Sequence, residues 1–65
     1  NGNVVTVNTE NCVIEGDKKL IATVGLRDMI IVDTPDATLV STKENAGEIK
    51  QVLAKLREEG KNQYL

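Results

Sequence analysis

Val24, Val32 and Val40 stand eight residues apart, and Ala22, Ile30 and Thr38 keep the same interval. This spacing is the strongest constraint on what the chain can fold into. An amphipathic helix repeats its apolar face every three and four residues, so a helical stripe does not produce it. A short strand followed by a short turn does. Five candidate strands follow: Val4–Asn8, Cys12–Glu15, Leu20–Val24, Met29–Asp33 and Thr38–Ser41. Each is rich in β-branched residues, which suit a pleated surface. The stretches between them carry turn chemistry: Asn8-Thr9-Glu10-Asn11, Glu15-Gly16-Asp17-Lys18, Gly25-Leu26-Arg27-Asp28 and Asp33-Thr34-Pro35-Asp36.

Two architectures give this rhythm. A meander joins antiparallel strands by tight hairpins. A β-helix stacks short parallel strands coil on coil. Gly16-Asp17 favours a hairpin between the second and third strands, and a clean hexapeptide repeat, which would favour the β-helix, is missing.

The period changes after Ser41. Ile49, Val52, Leu53 and Leu56 follow the i, i+3, i+4, i+7 spacing of an amphipathic helix. Asn45 is the expected N-cap with Glu48 as its capping-box partner, Ser41 or Thr42 being earlier starts, and Gly60 is the expected C′ residue. A helix this short is marginal alone, so its stripe must dock on the sheet or on a neighbouring domain. The expected fold is therefore mainly β with a C-terminal α-helix, its short strands β-helix-like or a meander. Residues 1–42 form the β region, 43–60 the helix and 61–65 a tail, together one small domain.

With 65 residues the core must be modest. A domain of this size buries only ~60% of the surface its unfolded chain exposes. Cys12 is the only cysteine, so no internal disulfide is possible, and without histidine the usual zinc ligand sets are absent. Oligomerisation or attachment to a larger chain is the expected support. Strand-like sequence begins almost at once after Asn1, so the chain reads as part of a longer protein. Tyr64 is the only aromatic residue, and the net charge of −2 is spread without a basic patch, which argues against nucleic-acid binding. No apolar run approaches a membrane span of ~20 residues. A lone thiol fits a reducing cytosol.

The candidate chemistry is thin. Arg27 could present its guanidinium to a phosphate or a partner. The bland reading of Gly25–Asp28 is a turn, with Gly25 in a conformation other residues avoid and Asp28 bonding local amides. Asp33 and Asp36 could be paired carboxylates, but they flank the turn dipeptide Thr34-Pro35 and lack a third ligand. Cys12 has no histidine to activate it and reads as a small, half-buried strand residue. No phosphate-cradling glycine motif is present. From these residues alone the reading is a small non-catalytic β domain.

The string from Asn11 to Leu65 nevertheless resembles the C-terminal part of bacterial mannose-1-phosphate guanylyltransferases. The resemblance is carried by Asn11-Cys12, by Leu20-Ile-Ala-Thr-Val-Gly25, by Asp28-Met-Ile-Ile-Val-Asp-Thr-Pro-Asp-Ala37, and by the closing Glu-Glu-Gly-Lys with Tyr64. It implies a parent enzyme that joins mannose 1-phosphate to GTP, giving GDP-mannose and pyrophosphate with a divalent metal, usually Mg²⁺. Catalysis would sit in a larger N-terminal nucleotidyltransferase domain of the same chain, whose Gly-rich signature is not in this sequence. No catalytic, cofactor or metal residue is therefore carried over. The small domain would be β-helix-like and associated with subunit contacts in a cytoplasmic homo-oligomer. The alternative is a regulatory module that binds a sugar phosphate or nucleotide at its turns through Arg27, Lys18 and Lys19.

Overall fold

The computed structural model describes residues 3–61 and 63. Five strands form in order: β1 (Asn3–Val7), β2 (Val13–Glu15), β3 (Leu20–Val24), β4 (Met29–Asp33) and β5 (Thr38–Thr42). A 3-10 turn over Ala46–Glu48 leads into the helix α1 (Ile49–Glu58). Tyr64 and much of the expected 61–65 tail lie outside the described residues.

The pairing is parallel where it matters. β1 pairs with β3 from Asn3↔Leu20 to Val7↔Val24, and β2 pairs with β4 from Val13↔Ile30 to Glu15↔Val32. Every partner lies 17 positions further along the chain. The chain therefore completes one coil in 17 residues and stacks the next on it without slipping. From β3 to β4 the eight-residue rhythm is the step from one side of a coil to the other, whereas from β4 to β5 it spans a hairpin within one sheet. This is a β-helix, and the expected hairpin at Gly16-Asp17 does not form. β2 and β3 lie in different sheets, so this turn carries the chain from one coil to the next. A Cβ built on Gly16 would lie 2.7 Å from Ile21 Cδ1, so its lack of a side chain makes room for Ile21.

Among the described residues the one hairpin joins β4 to the antiparallel β5, with Asp33 opposite Thr38. Its turn is held by the Thr34 N–H donating to the Ala37 carbonyl at 2.9 Å and by the Ala37 N–H donating to Thr34 Oγ1 at 3.2 Å.

Alternation sets the faces. In β3, Ile21 and Thr23 point inward while Leu20, Ala22 and Val24 point out. In β4, Ile31 and Asp33 are the buried pair. Ile31 is the only buried hydrophobic residue among those described. Thr23, also buried, shares a 2.8 Å hydrogen bond with Thr9.

The helix follows its stripe in part, with Ile49, Leu53 and Leu56 half-buried but Val52 exposed. Its start differs from the expected capping box. The Glu48 N–H donates to the Asn45 carbonyl at 2.9 Å, while Asn45 Nδ2 donates to Glu48 Oε2, so the two side chains bond each other. Ser41 and Thr42 stay in β5, and Thr42 Oγ1 accepts from the Asn45 N–H at 3.1 Å. The end matches the expectation. Gly60 has φ +73°, its N–H donates to the Arg57 carbonyl at 3.1 Å, and the Lys61 N–H donates to the Leu56 carbonyl at 2.8 Å. This is the Schellman arrangement, and it satisfies carbonyls the helix would otherwise orphan.

Candidate functional site

The polar candidates gather where the chain turns from β1 to β2 and from β3 to β4. Asn8 and Gly25 both have positive φ, 51° and 70°, and so do Asn11 and Asp28, 53° and 57°. Each pair is again 17 positions apart, so two four-residue corners of the same shape lie one on the other. Glycine occupies this region without strain, and Asn and Asp enter it more readily than other side chains. The backbone is paired across the corner: Gly25 N–H to Val7 carbonyl at 2.9 Å, Glu10 N–H to Leu26 carbonyl at 2.9 Å, and Asp28 N–H to Glu10 carbonyl at 3.1 Å.

Side chains repeat the pattern. Arg27 Nη2 donates to Glu10 Oε1 at 2.9 Å, with both groups largely exposed. Asn11 Nδ2 donates to Asp28 Oδ1, and Lys43 Nζ donates to Asn11 Oδ1 at 3.0 Å. The Asp28 carboxylate thus meets the coil beneath it rather than the local amides expected from sequence. Cys12 is half-buried, as expected, but lies just before β2 rather than in it, with its Sγ accepting from the Met29 N–H at 3.4 Å. Glu10, Asn11 and Lys43 were not singled out from sequence. The usable signal was the recurrence of left-handed-tolerant residues at 8/25 and 11/28.

The remaining candidates lie elsewhere. Asp33 points inward, accepts a 2.6 Å hydrogen bond from Thr38 Oγ1, and has Lys19 Nζ 3.4 Å from the same oxygen. The Thr38 bond, helped by Lys19, holds its carboxyl below the usual aspartate range, although burial opposes this. Asp36 instead lines a cleft of about 430 Å³ between the hairpin and α1, with Val32, Leu39, Ile49, Leu53 and Leu56 supplying apolar walls. The two aspartates therefore serve different faces of the fold. Among the described residues no group of three or more His, Cys, Asp or Glu side chains is placed to hold a metal. Lys18 and Lys19 border a smaller cavity with Asp17 and Pro35, on the connection between coils, whereas Arg27 sits at the β3–β4 corner. The structure does not bring the three basic residues into one site. Among the described residues no helix is long and apolar enough to cross a membrane.

Two parallel coils in a constant register, closed by a hairpin and a helix, define a small β-helix domain. The chain belongs to the family described as the MannoseP isomerase/GMP-like beta-helix domain, whose sequence model matches residues 2–56. It is similar to a Vibrio cholerae protein, 38% identical over 63 residues, covering 97% of this chain and 14% of the relative. It is also similar to the alginate biosynthesis protein AlgA of Pseudomonas syringae, 36% identical over 62 residues, covering 95% of this chain and 13% of that one. A mannose-1-phosphate guanylyltransferase of Klebsiella pneumoniae is 37% identical over 57 residues, covering 88% of this chain and 12% of its own. The chain thus spans about an eighth of the length of the relatives it matches.

Proposed function

We propose that this is the non-catalytic C-terminal structural and oligomerisation domain of a mannose-1-phosphate guanylyltransferase. The parent would make GDP-mannose and pyrophosphate from GTP and mannose 1-phosphate, with Mg²⁺, in the cytoplasm. Its catalytic residues would lie in an N-terminal nucleotidyltransferase domain of the same chain. One observation carries the non-catalytic reading. The polar side chains that could have formed a site are used in holding strand to strand and coil to coil: Arg27 on Glu10, Asp28 on Asn11, and Asp33 on Thr38 and Lys19. Family membership across residues 2–56 supports this choice of parent.

The test removes these residues from the full-length enzyme and follows guanylyl transfer and sedimentation. A smaller oligomer or an unstable enzyme is expected. An enzyme unchanged in both would sink the assembly role.

The cavity beside Lys18 and Lys19 is the observation behind the second reading, a small regulatory site for a sugar phosphate or nucleotide. Titrating the full-length enzyme with mannose 1-phosphate and GDP-mannose, with Lys18→Ala and Lys19→Ala as comparisons, separates the two. Amide shifts at these lysines that vanish in the variants would favour regulation.

A further inference from the structure

The second coil ends in a step. One side of the stack holds two strands, β1 and β3, and the other holds three, β2, β4 and β5. Among the described residues β5 therefore has no strand across from it. Its burial records this. Leu39 and Ser41, on the side of α1, are half-buried, while Thr38, Val40 and Thr42, on the inner side with Asp33, Ile31 and Met29, are exposed. Val40 is 58% exposed although it stands beside Ile31, the buried residue of the core. Among the described residues β3 pairs only with β1, so its second edge presents unpaired backbone groups. The step is one strand deep, with the edge of β3 as its wall and the inner face of β5 as its floor.

We propose that a second copy of this chain fills the step, an inference that rests on the assembly role given above. The second copy's β5 lies beside β3, and the first copy's β5 fills the same place in the second. The two-fold axis runs along the strands, between the two layers. Each layer then becomes one sheet of order β1-β3-β5-β4-β2, its last three strands from the other copy. Strand direction agrees. Asp33 at the end of β4 meets Lys19 just before β3, and Thr38 at the start of β5 bonds Asp33, so β5 runs the same way as β3. The axis keeps that direction, so the incoming β5 is parallel to β3, as β3 is to β1. The faces agree as well. Thr38 and Val40 stand 17 positions beyond Ile21 and Thr23, the interval of the coil, and all four point inward. Neither β3 (Leu-Ile-Ala-Thr-Val) nor β5 (Thr-Leu-Val-Ser-Thr) carries the charge or proline that guards a strand edge, and no like charges meet. Other occupants fit less well. A copy brought in by its β1 edge would need its β2 where β5 already lies. A lone foreign strand would pair the edge of β3 but leave the outer edge of β5 open, whereas a second copy pairs both.

The test uses the full-length enzyme. A diazirine amino acid replaces Val40, and isotopically heavy and light chains are mixed under conditions that allow subunit exchange, irradiated and digested with trypsin. Mixed heavy–light crosslinks from position 40 to the peptide Leu20–Arg27 are expected. Crosslinks of one isotopic composition alone would overturn the proposal and assign the step to the same chain. Adducts with water alone would overturn it by leaving the step open. In parallel, Val40→Glu puts a charge into the joint but faces water in a single copy. It should weaken self-association by about a hundredfold in sedimentation, with the circular dichroism unchanged. Val13→Glu, at an exposed valine of β2, should leave self-association as it was. Deleting residues 1–65 separates the two readings. An oligomer that shrinks on deletion but not with Val40→Glu overturns the step and keeps the assembly role. An oligomer unchanged by either overturns both.

Discussion

Arg27 lies directly over Glu10 of the preceding coil, its Nη2 2.9 Å from Oε1, and the two residues also form a parallel backbone bridge. The pair is a rung in the stack of coils. Its side chains are 71% and 68% exposed, so solvent screens the charges. Exposed pairs of this kind contribute about 0–1 kcal/mol. Arg27→Ala should therefore lower the stability of the full-length enzyme by less than about 1 kcal/mol in a denaturant titration. Turnover should stay near the parent value. A large loss of turnover with folding intact would make Arg27 a site residue after all.

Corner geometry gives a sharper contrast. Gly25 and Asn8 hold equivalent places with φ 70° and 51°. A β-branched side chain in this region brings its Cβ against the backbone, at a cost of roughly 1–2 kcal/mol. Gly25→Val should therefore move the urea midpoint down, although nothing lies within 4 Å of a Cβ built there. Asn8→Gly should change it little, because glycine enters the same region freely. Equal losses for both would show that the corner is not held in the left-handed conformation.

Those corners also show what the sequence could reveal. The strands were legible because β-branched runs and turn residues are local signals: Leu20–Val24 and Met29–Asp33 have the expected bounds. Pairing was not, because Gly16-Asp17 gives the same turn signal whether the chain doubles back or climbs to the next coil. The choice depends on contacts 17 residues apart, and a hexapeptide search passes over a coil of that length. The match of Asn8 with Gly25 and of Asn11 with Asp28 was visible, but it has meaning only once that interval is known. Asp28 was legible as a corner residue, whereas its partner Asn11 came with the stacking.

Gly16 and Ile21 form a coupled pair. The built Cβ at Gly16 meets the tip of Ile21, so Gly16→Ala must push that side chain aside. Overpacking of this kind costs about 1–3 kcal/mol. Ile21→Val removes the Cδ1 that would clash, and by itself costs about 0.5–1.5 kcal/mol. The double variant should lose less than the two single losses added together, since residues in contact are not independent. Strict additivity in the unfolding midpoints would show that Ile21 turns away freely.

Ile31 is the residue whose loss should matter most to folding. It is 8% exposed, while large apolar neighbours such as Val40 are more than half exposed. Ile31→Ala removes buried methyl groups and leaves a cavity, which typically costs about 2–5 kcal/mol. Val40→Ala on the opposite strand should cost clearly less. Both can be read from denaturant midpoints of the full-length chain, provided the transition of this domain is followed by a local probe. Similar losses at the two positions would mean that another part of the protein covers Val40.

Acid sensitivity follows from Asp33. Its carboxyl is held below the usual aspartate value, first by the Thr38 hydrogen bond and then by Lys19, against the effect of burial. An aspartate unfolds to a pKa of about 3.9. Because the folded value is the lower one, the unfolded chain binds the proton more readily. The contribution to stability is therefore fully present above the unfolded value and is lost as pH falls through the folded one. Thr38→Val removes the main cause and should shift that loss to higher pH, since burial then acts with less opposition. Raised salt should weaken only the Lys19 share, because Lys19 is 61% exposed. Following the Asp33 carboxyl by NMR across the acid range decides the matter. A midpoint in Thr38→Val equal to that of the parent would show that the Thr38 hydroxyl does not hold the charge.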